Sequence, residues 1–298
     1  MFASIQRGFG FLGQAIDLAR KDSDLLKPSL YSLLVSAVVA IIGAVPLIAV
    51  ALLAGDTQPG KISLYVLGAL LIFAQYAVAY VFSGMTAYLV YEYLTEGDGR
   101  MDKAWGIVRR DGLDLLALAA ASTAVKLLEN ALRGNGRNRN IGGGIAASII
   151  NSVWTTATFF ILPAMVIEDL SLPQALKRAT FLVKNNFMLV VVTEVGVGTV
   201  VGLVGFLLGL VAVVLGVAVF LALSQIGSGL ATLAIAIGAA VLVAGIPLAL
   251  ITAFTTYVTT AYHTCLFLWA REAEKAVSQG QTAQMARVPA PLAAVLAH

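Results

Sequence analysis

The chain has 298 residues, 59% of them hydrophobic and 12% charged, with a formal net charge of +3. A soluble domain carries about 25% charged residues, so this composition excludes a water-soluble fold. The basic residues are scattered between apolar runs, which excludes nucleic acid as a partner, because neutralising phosphates needs a concentrated basic surface.

The first element, Phe2 to Lys21, reads as an amphipathic helix. Phe2, Ile5, Phe9, Leu12 and Ile16 recur at steps of three and four. It has no continuous apolar core, so it does not read as a signal peptide. It ends in Arg20-Lys21-Asp22-Ser23-Asp24-Leu25-Leu26. Apolar stretches at about 29–54 and 62–94 follow, each long enough for a bilayer crossing of about 20 residues.

A second amphipathic segment, with Met101, Ala104, Trp105 and Val108 on one face, runs into Arg109-Arg110-Asp111-Gly112-Leu113-Asp114-Leu115-Leu116. Stretches at about 113–132 and 141–167 come next. The first of these carries Asp114, Lys126 and Glu129, and the last two are three apart on a helix and are expected to pair. A hydrophilic path through Lys126, Glu129, Asn130, Asn151, Thr155 and Thr156 is the competing reading. Charges at the outer end of a short helix are the simpler one.

The third segment opens with Ser171-Leu172-Pro173-Gln174, a capping-box pattern with proline in the first turn. Leu172, Ala175, Leu176, Ala179 and Val183 form its face, and Lys184-Asn185-Asn186-Phe187 ends it. The stretches 187–225 and 229–270 follow. Each runs to about 40 residues, or about 60 Å of straight helix, against a hydrocarbon core of about 30 Å. They must be bent, strongly tilted, partly interfacial, or broken into two crossings each. The spans before the second and third segments end alike, in Tyr91-Glu92-Tyr93 and Ile167-Glu168-Asp169.

These elements predict an all-α polytopic membrane bundle built from three units, about 1–97, 98–169 and 170–271. Each unit is an amphipathic elbow helix followed by two spans, giving six spans, or eight if both long stretches break. Pro46, Pro163 and Pro247 would supply breaks. Residues 272–298 read as a poorly ordered tail. With all elbows on one side, that side holds Arg7, Arg20, Lys21, Lys27, Arg100, Lys103, Arg109, Arg110, Lys177, Arg178, Lys184, Arg271, Lys275 and Arg287. The other side holds Lys61, Arg133, Arg137 and Arg139. Fourteen against four places the elbows and both termini in the cytoplasm, in a multi-pass inner membrane protein of a prokaryote.

The stretch from Pro163-Ala-Met-Val-Ile-Glu-Asp-Leu to Ala175-Leu-Lys-Arg-Ala-Thr-Phe-Leu-Val-Lys-Asn-Asn186 resembles the signature of the YciC-like prokaryotic membrane proteins. It also resembles the membrane domain attached to some glycerophosphodiester phosphodiesterases. Their pattern is a span ending near proline, an acid, an Ala-Leu-Lys-Arg-Ser-like elbow and another span. Ala179 stands where that pattern has serine. The resemblance implies a six-span fold and little about activity. The phosphodiesterase catalytic domain has no counterpart in this sequence.

Chemistry-bearing residues are sparse. The histidines are His263 and His298, the single cysteine is Cys265, and no HExxH, CxxC or phosphate-binding loop occurs. No catalytic residue, cofactor or metal is expected, and Cys265 reads as an inert buried thiol. Gly142-Gly143-Gly144 reads as a flexible loop opening a helix, in preference to an anion cradle.

From Phe187 to Ala270 the only acid is Glu194, and no Lys, Arg or Asp occurs. An ionisable group inside a span marks a functional site or a specific partner. Glu194 lies about 10 Å inside its stretch and His263 about 12 Å before Arg271, so the two are matched in depth as a candidate polar pair. Gly198, Gly202, Gly205 and Gly209 form one small-residue face; Ala249, Ala253, Thr256 and Thr260 form another. An antiparallel hairpin turning at Ile226-Gly227-Ser228-Gly229 sets Gly202 against Thr256 and Gly205 against Ala253, a close packing that small residues permit.

The function read from this is non-catalytic: a protein that organises or assists other membrane components. Its partners are the lipid bilayer and other membrane proteins or further copies of itself. The alternative is a transporter or channel for a small solute or lipid.

Overall fold

The computed structural model describes the chain apart from Met1, residues 135–140, Ser228 and residues 297–298. It gives no account of the side chains of 2–5, 141, 185–196, 284 and 294–296. The described residues are almost all helical, and none lies in a strand. In chain order the helices are α1 (Phe2–Lys21), α2 (Lys27–Ala54), α3 (Gln58–Glu96), α4 (Met101–Arg110), α5 (Gly112–Arg133), α6 (Ile141–Glu168), α7 (Leu172–Ser224), α8 (Leu230–Ser278) and α9 (Ala290–Leu296). Six of them are long and apolar enough to cross a membrane: α2, α3, α5, α6, the Val197–Ser224 part of α7, and α8. The protein is an all-α polytopic membrane bundle.

The two long C-terminal stretches are each one unbroken helix, of 53 and 49 residues. That leaves six candidate spans, not eight. Pro46, Pro163 and Pro247 all sit inside continuous helices, since neighbouring groups in a membrane bundle re-satisfy the backbone that proline frees. The third elbow is likewise not a separate helix but the first turns of α7. The Ser171-Gln174 capping box opens it, with the Ser171 N–H donating to Gln174 Oε1 at 3.1 Å.

The turns are set by specific residues. Thr57 caps α3 by accepting from the Gly60 N–H at 3.1 Å. A Cβ at Gly60 would lie 1.8 Å from the Ala54 carbonyl oxygen, so only glycine fits this α2–α3 turn. Gly97 closes α3 in the left-handed conformation, φ 84°, donating to the Tyr93 carbonyl.

The core lies at the elbow end of the bundle. Phe11, Leu25, Met85, Leu89, Leu115, Phe160, Met165 and Phe267 are buried together there. Toward the opposite end α2 pairs with α3 and α7 pairs with α8. Their outward faces leave Ile41, Leu52, Tyr65, Phe206, Leu221 and Leu242 exposed. Apolar surface on this scale is stable only against hydrocarbon.

Charged contacts tie the elbow end together in a recurring pattern. Glu92 at the end of α3 accepts from the Arg100 backbone N–H at 2.9 Å and from Arg100 Nε at 3.0 Å, and pairs with Lys103 at 2.7 Å. Glu168 at the end of α6 accepts from Arg178 Nε at 2.9 Å, and Arg178 also reaches Glu274 of α8 at 2.6 Å. Asp22, after α1, accepts from the Gly99 N–H at 2.8 Å; Asp114, after α4, accepts from the Leu172 N–H at 2.9 Å. Burial opposes the charge on Arg178, but hydrogen bonds from it to Glu168 and Glu274 outweigh that and raise its pKa above the ordinary arginine value. It stays cationic at every physiological pH.

One expectation is corrected by packing. On α1 the buried positions are Phe11, Ala15, Leu18 and Ala19, while Phe9, assigned to the inner face, is 49% exposed. The helix is rotated so that Phe11 meets the Tyr262 ring edge-on at 5.2 Å and the Ala15 carbonyl accepts from the Tyr257 hydroxyl at 3.1 Å. Beyond Arg271, α8 continues to Ser278 and α9 lies against α1, with Ala286 and Leu292 buried.

Candidate functional site

The second spans of the three chain segments, α3, α6 and α8, meet around a cavity of about 330 Å³. Tyr80 and Ser83 line it from α3, Thr158 and Phe159 from α6, and a threonine run ending at His263 from α8. The run exists because Thr256, Thr260 and His263 recur at steps of four and three, which places them on one helix stripe. His263 is 6% exposed, and its ring stacks on Phe159 with centroids 3.5 Å apart and planes 16° from parallel. That stack fixes the imidazole plane at the cavity wall.

The α3–α6 side is held by a polar cluster around Ser122 of α5. Its hydroxyl lies 2.6 Å from the Tyr80 hydroxyl and accepts from Trp154 Nε1 at 2.9 Å. The Thr158 hydroxyl donates to the Trp154 carbonyl at 2.8 Å. These bonds satisfy buried polar groups that would otherwise be costly, and they hold Tyr80 and Thr158 in place. Tyr80 lies about 18 Å, Thr158 about 15 Å and His263 about 12 Å along their helices from Glu92, Glu168 and Arg271 respectively. The cavity is therefore well inside the bundle from its charged end.

Of the residues singled out from sequence, His263 belongs to this site. The side chain of Glu194 lies outside the described residues, and so does the Glu194–His263 pair. Thr256 and Thr260 line the cavity, so they face α3 and α6 and not the glycines of α7. The α7–α8 contact runs along the neighbouring stripe. A Cβ on Gly205 would meet Thr255 Cγ2 at 3.3 Å, and one on Gly209 would meet Leu248 Cδ2 at 3.4 Å. The closest approach is at Gly216, whose added Cβ would lie 2.7 Å from Ala244 Cβ and 3.0 Å from the Ala240 carbonyl oxygen. Gly202 would meet nothing within 4 Å, and Gly198 is exposed. Ala253 is buried and Ala249 half-buried. Opposite Gly205 the nearest α8 side chains are Thr255 and Ile251, on either side of Ala253, while Thr256 lines the cavity.

Lys126 and Glu129 do pair, at 3.0 Å, and Arg133 joins Glu129 at 2.7 Å. Asn130, Asn151 and Thr155 are exposed, so they line no internal path. Cys265 is fully buried. Among the described residues no three His, Cys, Asp or Glu side chains gather as metal ligands.

The residues that sequence reasoning missed are Tyr80, Ser83, Ser122, Trp154, Thr158 and Phe159. A signal was present: Ser83 and Phe159 each stand nine residues before the terminal glutamates Glu92 and Glu168. Equal spacing from a span end means equal depth.

Residues 112–276 match the family of unknown function DUF6159. They include α5, α6, α7 and most of α8, and so two of the three cavity walls. No curated protein matches the chain. With more than half its length inside that match, the chain belongs to the family of unknown function DUF6159.

Proposed function

We propose that this is a non-catalytic membrane protein that holds a membrane-resident molecule in the α3–α6–α8 cavity and thereby assists other membrane components. The cavity carries the reading. It has the volume of a small-molecule site and the usual mixture of apolar wall and a few placed polar groups. It offers hydroxyls and one imidazole, and among the described residues no three potential metal ligands gather, so we read it as a binding site.

The bundle sits in the cytoplasmic membrane of a prokaryote with its elbows and both termini inside. The fourteen-to-four bias of basic residues supports this. So do the Asp22–Gly99 and Asp114–Leu172 bonds, which hold the elbows to one end. The recurrence of these contacts and of the Glu92–Arg100 and Glu168–Arg178 pairs also supports the three-unit repeat. Reporters fused after Lys21, Arg110 and Lys184 are expected to report cytoplasm, and those near Thr57, Arg133 and Gln225 the outside. One elbow reporting outside would overturn this topology.

The second reading is a carrier, favoured by the position of the cavity inside the spanning bundle. Purified protein in liposomes is expected to pass no small ions or fluorescent lipids above the empty-vesicle background. Flux that disappears with His263→Ala would replace the holder by a carrier using the same cavity.

A further inference from the structure

A second cavity, of about 250 Å³, lies between α1, α7 and α8. Its walls are apolar: Leu12, Val201, Val204, Leu208, Leu250 and Phe254 among them. Among the described residues its one polar side chain is Thr255, which also lines the first cavity. The two spaces therefore share a wall residue on α8. One is rich in hydroxyls and the other is almost wholly hydrocarbon in character.

The charge of the first cavity decides what its occupant carries. Among the described residues, no Asp, Glu, Lys or Arg lines it. The basic residues nearest in the chain are those of the elbow end, several helical turns away. A phosphate, carboxylate or ammonium head placed here would be removed from water without a counter-charge, which is strongly unfavourable. Hydroxyls lose little by the same transfer, because threonine hydroxyls and an imidazole both donate and accept. The second cavity selects against small sugars and polyols, which have nothing to place against Leu208 and Phe254.

We propose, building on the reading of the first cavity as a binding site, that the pair of cavities takes a neutral, hydroxyl-bearing amphiphile. Its head lies among Tyr80, Ser83, Thr256, Thr260 and His263. Its hydrocarbon part passes Thr255 into the apolar cavity under Leu12. An uncharged glycerolipid of the diacylglycerol type is the chemistry that fits.

The test compares two lipids with identical acyl chains, a radiolabelled diacylglycerol and the corresponding phosphatidic acid, for saturable binding to the full-length protein in mild detergent. Diacylglycerol is expected to bind saturably and phosphatidic acid about tenfold more weakly or less, the penalty of an uncompensated head charge. Thr256→Val with Thr260→Val removes two hydroxyls at nearly constant shape and should weaken diacylglycerol about tenfold, with an unchanged melting temperature. Val204→Trp fills the apolar cavity and should weaken it as well. Equal or tighter binding of phosphatidic acid that still depends on the threonines would overturn the neutral class while leaving the cavity as a site. Binding of neither lipid, or binding indifferent to all three substitutions, would remove both the class and the site.

Discussion

Replacing Arg100 and Lys103 together by alanine is expected to lower the melting temperature, because it removes both cations from a buried carboxylate. The two cations are themselves 42% and 35% exposed, so little packing is lost with them. The cost falls on the Glu92 carboxylate, which is only 2% exposed and would keep just the Arg100 backbone N–H. Lys103→Ala alone should be mild, because Arg100 still donates through Nε and its terminal nitrogen, at 3.0 and 2.9 Å. Adding Glu92→Gln to the double variant should recover part of the loss, since a neutral amide is cheaper to bury than a charge. Thermal unfolding in detergent reads all three. A double variant that melts with the wild type would show that this cluster does not hold α4 against α3.

Gly216→Leu is expected to separate α7 from α8 and to cost about 1–3 kcal/mol, the range for overpacking a tight contact. Even a methyl group at this position would meet Ala244 Cβ at 2.7 Å and the Ala240 carbonyl at 3.0 Å. The carbonyl is backbone and has no rotamer by which to yield. Gly202→Leu, only a few turns away on the same helix, should be milder, because a Cβ added there meets nothing within 4 Å. Cysteines at Gly216 and Ala244 should cross-link in membranes, and cysteines at Gly202 and Thr256 should not. The reverse pattern would overturn the described contact of Gly216 with Ala244.

The contrast between Gly202 and Gly216 shows where sequence reasoning stops. Hydrophobic run lengths determined the helix class and left six or eight spans, because a bilayer crossing imposes a length and a polarity that few residues can meet; the unbroken α7 and α8 decided for six. Local chemistry determined the Ser171-Gln174 cap and the Lys126–Glu129 pair, since both partners lie within one helical turn. The span-end glutamates, too, stood out as a pattern before their arginine partners were known. What only the tertiary structure decided is which stripe of each helix faces which neighbour. Along α8 the stripe with Thr256, Thr260 and His263 and the stripe with Ala244, Leu248 and Thr255 are separated by a rotation of the helix. In hydrocarbon, lipid-facing and helix-facing residues are equally apolar, so composition carries no inside and outside. The choice is made instead by contacts distant in sequence. Phe159 stacks on His263, Ser122 joins Tyr80 to Trp154, and Ala240 and Ala244 admit the backbone of Gly216. The cavity exists only where those long-range contacts bring three helices together.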